Sequence, residues 1–117
     1  MKKRLKPLLP TLKEKKRYLV FEAISDENIT FNQIADQIDE KSKKLLGLFN
    51  ASEAGIQLLK ETWNSKKQRG IIRINHKYVH QLKSCFLFIN DIDGKEAVIQ
   101  SIGLSGVINK AKKLIAG

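Results

Sequence analysis

Runs of apolar and polar residues change their spacing along the chain and so mark out elements of two kinds. The first run, over 17–25, is rich in aromatic and β-branched residues and is typical of a strand. The clearest helix start follows it: Thr30 stands where an N-cap residue belongs, and Gln33 is placed to complete a capping box. Apolar residues then recur with the spacing of one helix face, which predicts an amphipathic helix that ends at Gly47.

The rest of the chain continues as short elements separated by turns. In chain order, the pattern predicts a connecting turn or short helical piece at 48–55, a strand at 56–64, a basic hairpin turn at 65–70, a strand at 71–74, a helix at 76–90 capped by Asn75, a strand at 96–103 after the Asp93-Gly94 turn, and a last helix capped by Ser105. The predicted order is β-α-β-β-α-β with an extra C-terminal helix, which is the ferredoxin-like arrangement that RRM domains also use. Right-handed crossovers would place both main helices on one face of a four-stranded antiparallel sheet, giving an α/β sandwich.

One strand of this arrangement would stack RNA bases in an RRM domain, but here it lacks the aromatic residues. The matching stretch, 69–76, opens with the expected Arg-Gly, whereas Ile71 and Arg73 occupy the two stacking positions. Isoleucine has no π-face to offer a base. We therefore expect the last helix or a partner protein to cover this face of the sheet.

Arg73 has two interpretations. Strand alternation places it on the face away from the two main helices, among apolar neighbours, where an unpaired guanidinium would be costly to bury. It either forms a buried pair with Glu22 or Glu61, or it contacts RNA or a partner subunit.

The net charge of the chain narrows the classes of partner that it can bind. The chain carries 22 Lys and Arg against 12 Asp and Glu, a net charge of +10, which favours binding to a polyanion. Residues 1–17 contribute +7, from eight basic side chains and one acid. Pro7 and Pro10 disfavour a lipid-binding helix there, and no apolar run is long enough to span a bilayer, so no membrane partner is expected. We divide the chain into a basic arm, 1–16, and a single RNA-binding domain, 17–117.

Phosphate contacts are predicted from three regions: the arm, the 65–70 hairpin and the last helix. Together with the arginine of the third strand, the predicted RNA-binding residues are Lys2, Lys3, Arg4, Lys6, Lys13, Lys15, Lys16, Arg17, Lys66, Lys67, Arg69, Arg73, Lys110, Lys112 and Lys113. A solubilising role for the arm is the alternative.

No catalytic or metal-binding constellation is recognisable. His76 and His80 have helical spacing, but no third ligand is marked, so surface histidines are the preferred interpretation. Cys85 is the only cysteine, which excludes an internal disulfide and a cysteine zinc cluster, and its apolar neighbours predict a buried thiol. Without a recognisable signal peptide, the expected compartment is the cytoplasm.

Other classes remain open at this point. A generic RNA-binding or ribosome-associated module would have the same charge. An acylphosphatase-like enzyme needs an arginine in a glycine-rich loop after the first strand, and residues 25–28, Ser-Asp-Glu-Asn, have neither. A ligand-sensing regulatory domain is a third alternative.

Three motifs resemble those of the ribonuclease P protein component 2 family. Residues 17–22, Arg-Tyr-Leu-Val-Phe-Glu, resemble its Arg-Tyr-x-x-Phe-Glu opening, and residues 70–73, Gly-Ile-Ile-Arg, resemble its Gly-Ile/Val-Ile-Arg strand. Residues 105–110 are similar to its Ser-Gly-Thr-Ile-Lys-Lys signature, departing from it at Val107 and Asn109.

The resemblance implies a non-catalytic protein subunit of the ribonuclease P endoribonuclease, of archaeal form, in which RNA removes the 5′ leader of tRNA using Mg²⁺. The protein would bind no cofactor itself. Its implied partners are ribonuclease P RNA, pre-tRNA and the TIM-barrel-like component 3 subunit, with a homodimer or heterotetramer as possible assemblies.

Overall fold

The computed structural model describes residues 15–117. Its elements are, in chain order, β1 (Lys16–Ser25), α1 (Phe31–Ala54), β2 (Gln57–Asn64), β3 (Arg69–Asn75), a 3-10 turn (His76–Tyr78), α2 (Val79–Phe86), β4 (Asp91–Ile92), β5 (Lys95–Ser105) and α3 (Ile108–Ala116). The predicted β-α-β-β-α-β order with an extra C-terminal helix is confirmed. The sequence pattern did not reveal β4, because a two-residue strand has no periodicity to detect.

The five strands form one antiparallel sheet in the order β2-β3-β1-β5-β4. Central β1 pairs with β3 on one side and with β5 on the other, and a bulge interrupts the β1–β5 register between Val20 and Phe21. At one edge, β4 pairs only with the start of β5, across the predicted Asp93-Gly94 turn.

Each face of the sheet carries its own core, because side chains alternate along every strand. The larger core lies between the sheet and helices α1 and α2, and its fully buried members include Leu19, Phe21, Ile34, Ile38, Ile72, Ile74, Leu82 and Ile92. The smaller core lies beneath α3 and comprises Val20, Leu59, Ile71, Ala111 and Ile115. The expectation that the last helix covers the second face is therefore confirmed.

Helix α1 begins as predicted but ends later. The Thr30 side chain accepts a hydrogen bond from the Gln33 N–H, and the Gln33 side chain accepts one from the Thr30 N–H, which together form the capping box. The predicted stop at Gly47 is wrong, since the helix only kinks there (φ 82°, ψ 164°) and continues to Ala54, with Gly55 as its left-handed C-cap. A glycine can take this backbone conformation inside an element as well as at its end.

Three further boundaries differ from the prediction. Ser105 does not cap α3, whose N-cap is Val107; the Ser105 hydroxyl instead accepts a hydrogen bond from the Val107 N–H at 3.0 Å. β5 extends through Ser105 because that residue pairs with Tyr18. Asn75 caps the 3-10 turn, and the helix predicted over 76–90 ends at Phe86.

Candidate nucleic-acid interface

The basic hairpin after β2 and the end of α3 are held together by two cationic side chains. Lys67 Nζ donates to the carbonyl oxygen of Ala116, and Arg69 Nη1 donates to that of Leu114 at 3.1 Å. The last carbonyls of a helix have no partner within it and carry partial negative charge, so these contacts stabilise the helix end. Two of the three predicted phosphate-binding regions therefore lie side by side.

Helix α3 presents its lysines to solvent. Ala111 and Ile115 are buried against the sheet, whereas Lys110, Lys112 and Lys113 are exposed on the other sides of the helix. The helix contains no acidic residue, so all of its exposed charges are positive.

At the opposite end of α3, Arg17 lies beside the turn that leads into the helix. Its Nη1 is 3.5 Å from the position that a Cβ on Gly106 would occupy, and it donates to the Lys16 carbonyl oxygen at 3.2 Å. Arg17 thus places a guanidinium between the N-terminal end of β1 and the turn before α3.

Arg73 is exposed on the α3 side of the sheet. Its cross-strand neighbours are Tyr18 on β1 and Gln57 on β2. Within residues 15–117 the Arg73 side chain has no ion pair, and the alternative of a buried pair with Glu22 or Glu61 is wrong. Glu22 instead pairs with Arg69, with Nε and Oε2 3.2 Å apart.

The structure also adds a residue that the sequence pattern did not single out. Lys77 is exposed in the 3-10 turn, and the His76 N–H donates to the Lys15 carbonyl oxygen at 2.8 Å, so Lys77 lies at the same end of the sheet as Lys15 and Lys16. The signal that the sequence offered for Lys77 was its position in the turn after Asn75. Its proximity to β1 could not be predicted, because it depends on how distant strands pair.

The basic side chains face little opposing charge. Residues 62–90 and 97–117, which contain β3, α2, most of β5 and α3, have no Asp or Glu. We call the exposed cations Lys66, Lys67, Arg73, Lys110, Lys112 and Lys113, together with Arg17, the α3 surface. Its arrangement can neutralise phosphates of a nucleic acid. Tyr18, beside Arg73 on this face, is half-buried and packs against the smaller core.

Two aromatic side chains have structural roles. Trp63 packs against the larger core, stacked on Phe21 with 6.1 Å between ring centroids. Tyr78 is buried, and its hydroxyl contacts the side chains of Asn50 and Glu53.

The thiol and the histidines form no reactive centre in the part of the chain that is described. Burial raises the pKa of the Cys85 thiol, which disfavours the reactive thiolate. His76 and His80 are exposed, one in the 3-10 turn and one in α2. Between residues 15 and 117, no three His, Cys, Asp or Glu side chains are grouped to hold a metal ion.

Five of the predicted RNA-binding residues lie outside the described residues: Lys2, Lys3, Arg4, Lys6 and Lys13. Lys16, assigned by prediction to the arm, is the first residue of β1 and pairs with Asn75. None of the helices within residues 15–117 is long and apolar enough to cross a bilayer.

Fold and surface together define a class of protein. It is a small basic α/β protein whose sheet is packed on both faces and whose exposed cations lie on the α3 side of the sheet. A model of the Rpp14/Pop5 family matches residues 17–116. The chain therefore belongs to the Rpp14/Pop5 family, which confirms the resemblance seen in its motifs.

Relatives agree with this assignment, and a solved structure shares the fold. The chain is 36% identical to ribonuclease P protein component 2 of Pyrococcus abyssi, over 94% of this chain and 92% of the relative. It is 34% identical to the protein of the same name from Methanosarcina mazei, over 92% of this chain and 89% of the relative. A chain in the cryo-EM structure of yeast ribonuclease MRP shares the fold, with a TM-score of 0.62 at 13% identity, covering 89% of this chain and 88% of that one.

Proposed function

We propose that this protein is an RNA-binding subunit of ribonuclease P that supports removal of the 5′ leader from pre-tRNA. The observation that carries the proposal is the α3 surface: a row of exposed cations on a member of the Rpp14/Pop5 family, on elements that contain no acidic residue except the paired Glu22. The names of the relatives indicate which ribonucleoprotein the protein would belong to.

The proposed role is to neutralise phosphates and so reduce repulsion between folded RNA segments and pre-tRNA. Each cation that contacts a phosphate releases condensed counterions, which makes binding favourable and dependent on salt. Catalysis would belong to the RNA and the Mg²⁺ it binds, while the protein holds the RNA in place without supplying a ligand or nucleophile. The component 3 subunit and a second copy of this chain remain proposed partners, in the cytoplasm.

A charge-matched pair of triple variants tests the surface. The first replaces Lys110, Lys112 and Lys113 with glutamine; the second replaces Lys41, Lys43 and Lys44, which lie on α1, in the same way. Affinity for ribonuclease P RNA transcribed in vitro is measured across a range of salt concentrations. For the α3 variant, the slope of log affinity against log salt should decrease by about one for each phosphate that is no longer neutralised.

The α1 variant controls for net charge, because it removes the same three charges from another element. If both variants weaken RNA binding equally, the effect depends on net charge alone, and the proposed surface is contradicted. Equal affinity for ribonuclease P RNA and for unrelated structured RNAs would favour a generic RNA-binding module instead. Cleavage of pre-tRNA by the RNA-free protein would contradict its non-catalytic role.

A further inference from the structure

One long edge of the sheet has no partner strand in the described chain. β4 pairs only with Lys95 and Glu96 of β5, and the Ala97 N–H then donates to the Asn90 carbonyl oxygen at 3.2 Å. Beyond this point, no strand from residues 15–117 pairs with the outer edge of β5, although its inner edge pairs with β1 as far as Ser105.

This edge also lacks the usual protection against pairing. Natural sheet edges carry charges, prolines or a covering element, whereas residues 97–105 contain no charged residue and no proline. The Ala97 N–H points outward, and backbone groups alternate along a strand, so those of Ile99 and Ser101 point outward as well. The edge therefore offers donors and acceptors spaced for an added strand.

A groove of about 500 Å³ runs beside the same edge, between β5 and α2. Its apolar wall includes Leu87 and Val98, whose exposed fractions are 83% and 52%. Lys83 and His80 also line it, and no carboxylate does. An apolar wall next to an unopposed lysine complements a segment that carries both an apolar and an acidic side chain.

We propose that the outer edge of β5 binds an extended, acidic segment of a partner protein as an additional strand. The segment's backbone would pair with Ile99 and Ser101, an apolar side chain would lie against Leu87, and a carboxylate would face Lys83. RNA fits this edge poorly, because its phosphates cannot satisfy strand N–H and C=O groups in register. A second copy of the chain fits poorly too, because each copy carries +10 and β5 brings no carboxylate between residues 97 and 105.

The test is selection of random dodecapeptides displayed on phage against the full chain, followed by affinity measurement with the recovered peptides. Leu87→Asp and Lys83→Glu should each raise the Kd of these peptides about tenfold or more. The matched controls Leu48→Asp and Lys44→Glu make the same changes on α1, at a leucine that is 73% exposed and an exposed lysine, and should leave the Kd unchanged. Bound peptide should also slow hydrogen exchange at the Ile99 and Ser101 amides.

Recovered peptides that alternate apolar and acidic residues, with these variant effects, would support the proposal. Three outcomes would overturn it: no enriched peptide, equal loss of affinity in the α1 controls, or a self-associated chain whose dimer is disrupted by Leu87→Asp. Should Leu87→Asp lower the melting temperature, Lys83→Glu still decides the question, because that side chain is only partly buried. RNA affinity serves as an independent readout, and each groove variant should change it no more than its charge-matched α1 control does.

Discussion

Arg69 and Arg73 lie on the same face of β3 and yet have different surroundings. Arg69 forms an ion pair with Glu22 and donates a hydrogen bond to a carbonyl oxygen at the end of α3. Arg73 is exposed, with Tyr18 and Gln57 as its cross-strand neighbours. Strand alternation predicted that Arg73 would face away from the main helices. It could not predict which arginine meets Glu22, because that depends on the register between β1 and β3.

Replacing Arg73 with alanine should separate binding from stability. Because the side chain is exposed and has no ion pair within residues 15–117, the free energy of unfolding should change by no more than about 0.5 kcal/mol. Affinity for ribonuclease P RNA should fall, with a shallower salt dependence. Arg69→Ala is the matched comparison and should cost about 1 kcal/mol or more, since it removes a partly buried pair and a helix-end hydrogen bond. Urea unfolding and RNA titration of both variants check this, and a destabilised Arg73→Ala would contradict it.

Position 70 favours glycine because two aromatic rings pack over it and leave little room for a side chain. Gly70 lies directly opposite Phe21, and an added Cβ would be 3.0 Å from Trp63 Cε3 and 3.1 Å from the Phe21 ring. Gly70→Ala should therefore destabilise the fold by about 1–3 kcal/mol, the usual cost of overpacking. Gly106→Ala is the control, because its Cβ would meet Arg17 at an ordinary 3.5 Å. Equal melting temperatures for the two variants would refute the packing explanation.

At the scale of elements, the sequence predicted structure best where the residues that form a motif also contact one another. The capping box at Thr30 was readable because both of its hydrogen bonds join residues close in sequence. Gly47 was not interpretable in the same way, since a glycine with positive φ is compatible with either a helix end or a kink. What decides between them is packing after the kink, where Ala54 is buried in the larger core.

Gly47→Ala tests whether the kink is held by the fold. An alanine at φ 82° and ψ 164° occupies a region of the backbone map that is almost reserved for glycine, so the variant should be destabilised by about 1–3 kcal/mol. No atom lies within 4 Å of the added Cβ, so steric contact would not contribute. Lys44→Ala, an exposed helical site nearby, should have little effect. Unchanged urea unfolding of Gly47→Ala would mean that the helix straightens at no cost.

At the scale of the whole molecule, the order of elements and the covered second face followed from periodicity and from Ile71 in the third strand. The edge strand β4, the open edge of β5 and the groove beside α2 did not, because each depends on which distant residues come together. The same holds for the α3 surface: the sequence identified its cations, but their adjacency comes from α3 crossing the sheet.

The boundary between arm and domain also remains a prediction. Removing residues 2–13 should leave the melting temperature unchanged, because it retains every contact among residues 15–117, including that of the Lys15 carbonyl oxygen with the His76 N–H. It would delete five of the predicted RNA-binding residues, and affinity for ribonuclease P RNA should fall, with the salt slope reduced by about one for each phosphate left without its cation. If the shortened chain binds with undiminished affinity, the arm is solubilising.

The central place of β1 in the sheet has a consequence for how the chain acquires its structure. Contacts from β1 reach far along the sequence: Glu22 and Arg69 are 47 positions apart, and Ser25 and Glu96 are 71 apart. Of the strands in this sheet, β1 leaves the ribosome first, whereas its two neighbours emerge much later. The β2–β3 hairpin can form early, whereas the apolar run of β1 stays unpaired until β3 and β5 are made, and closing such long loops slows folding. During synthesis, β1 is therefore the segment most exposed to aggregation and to chaperone binding.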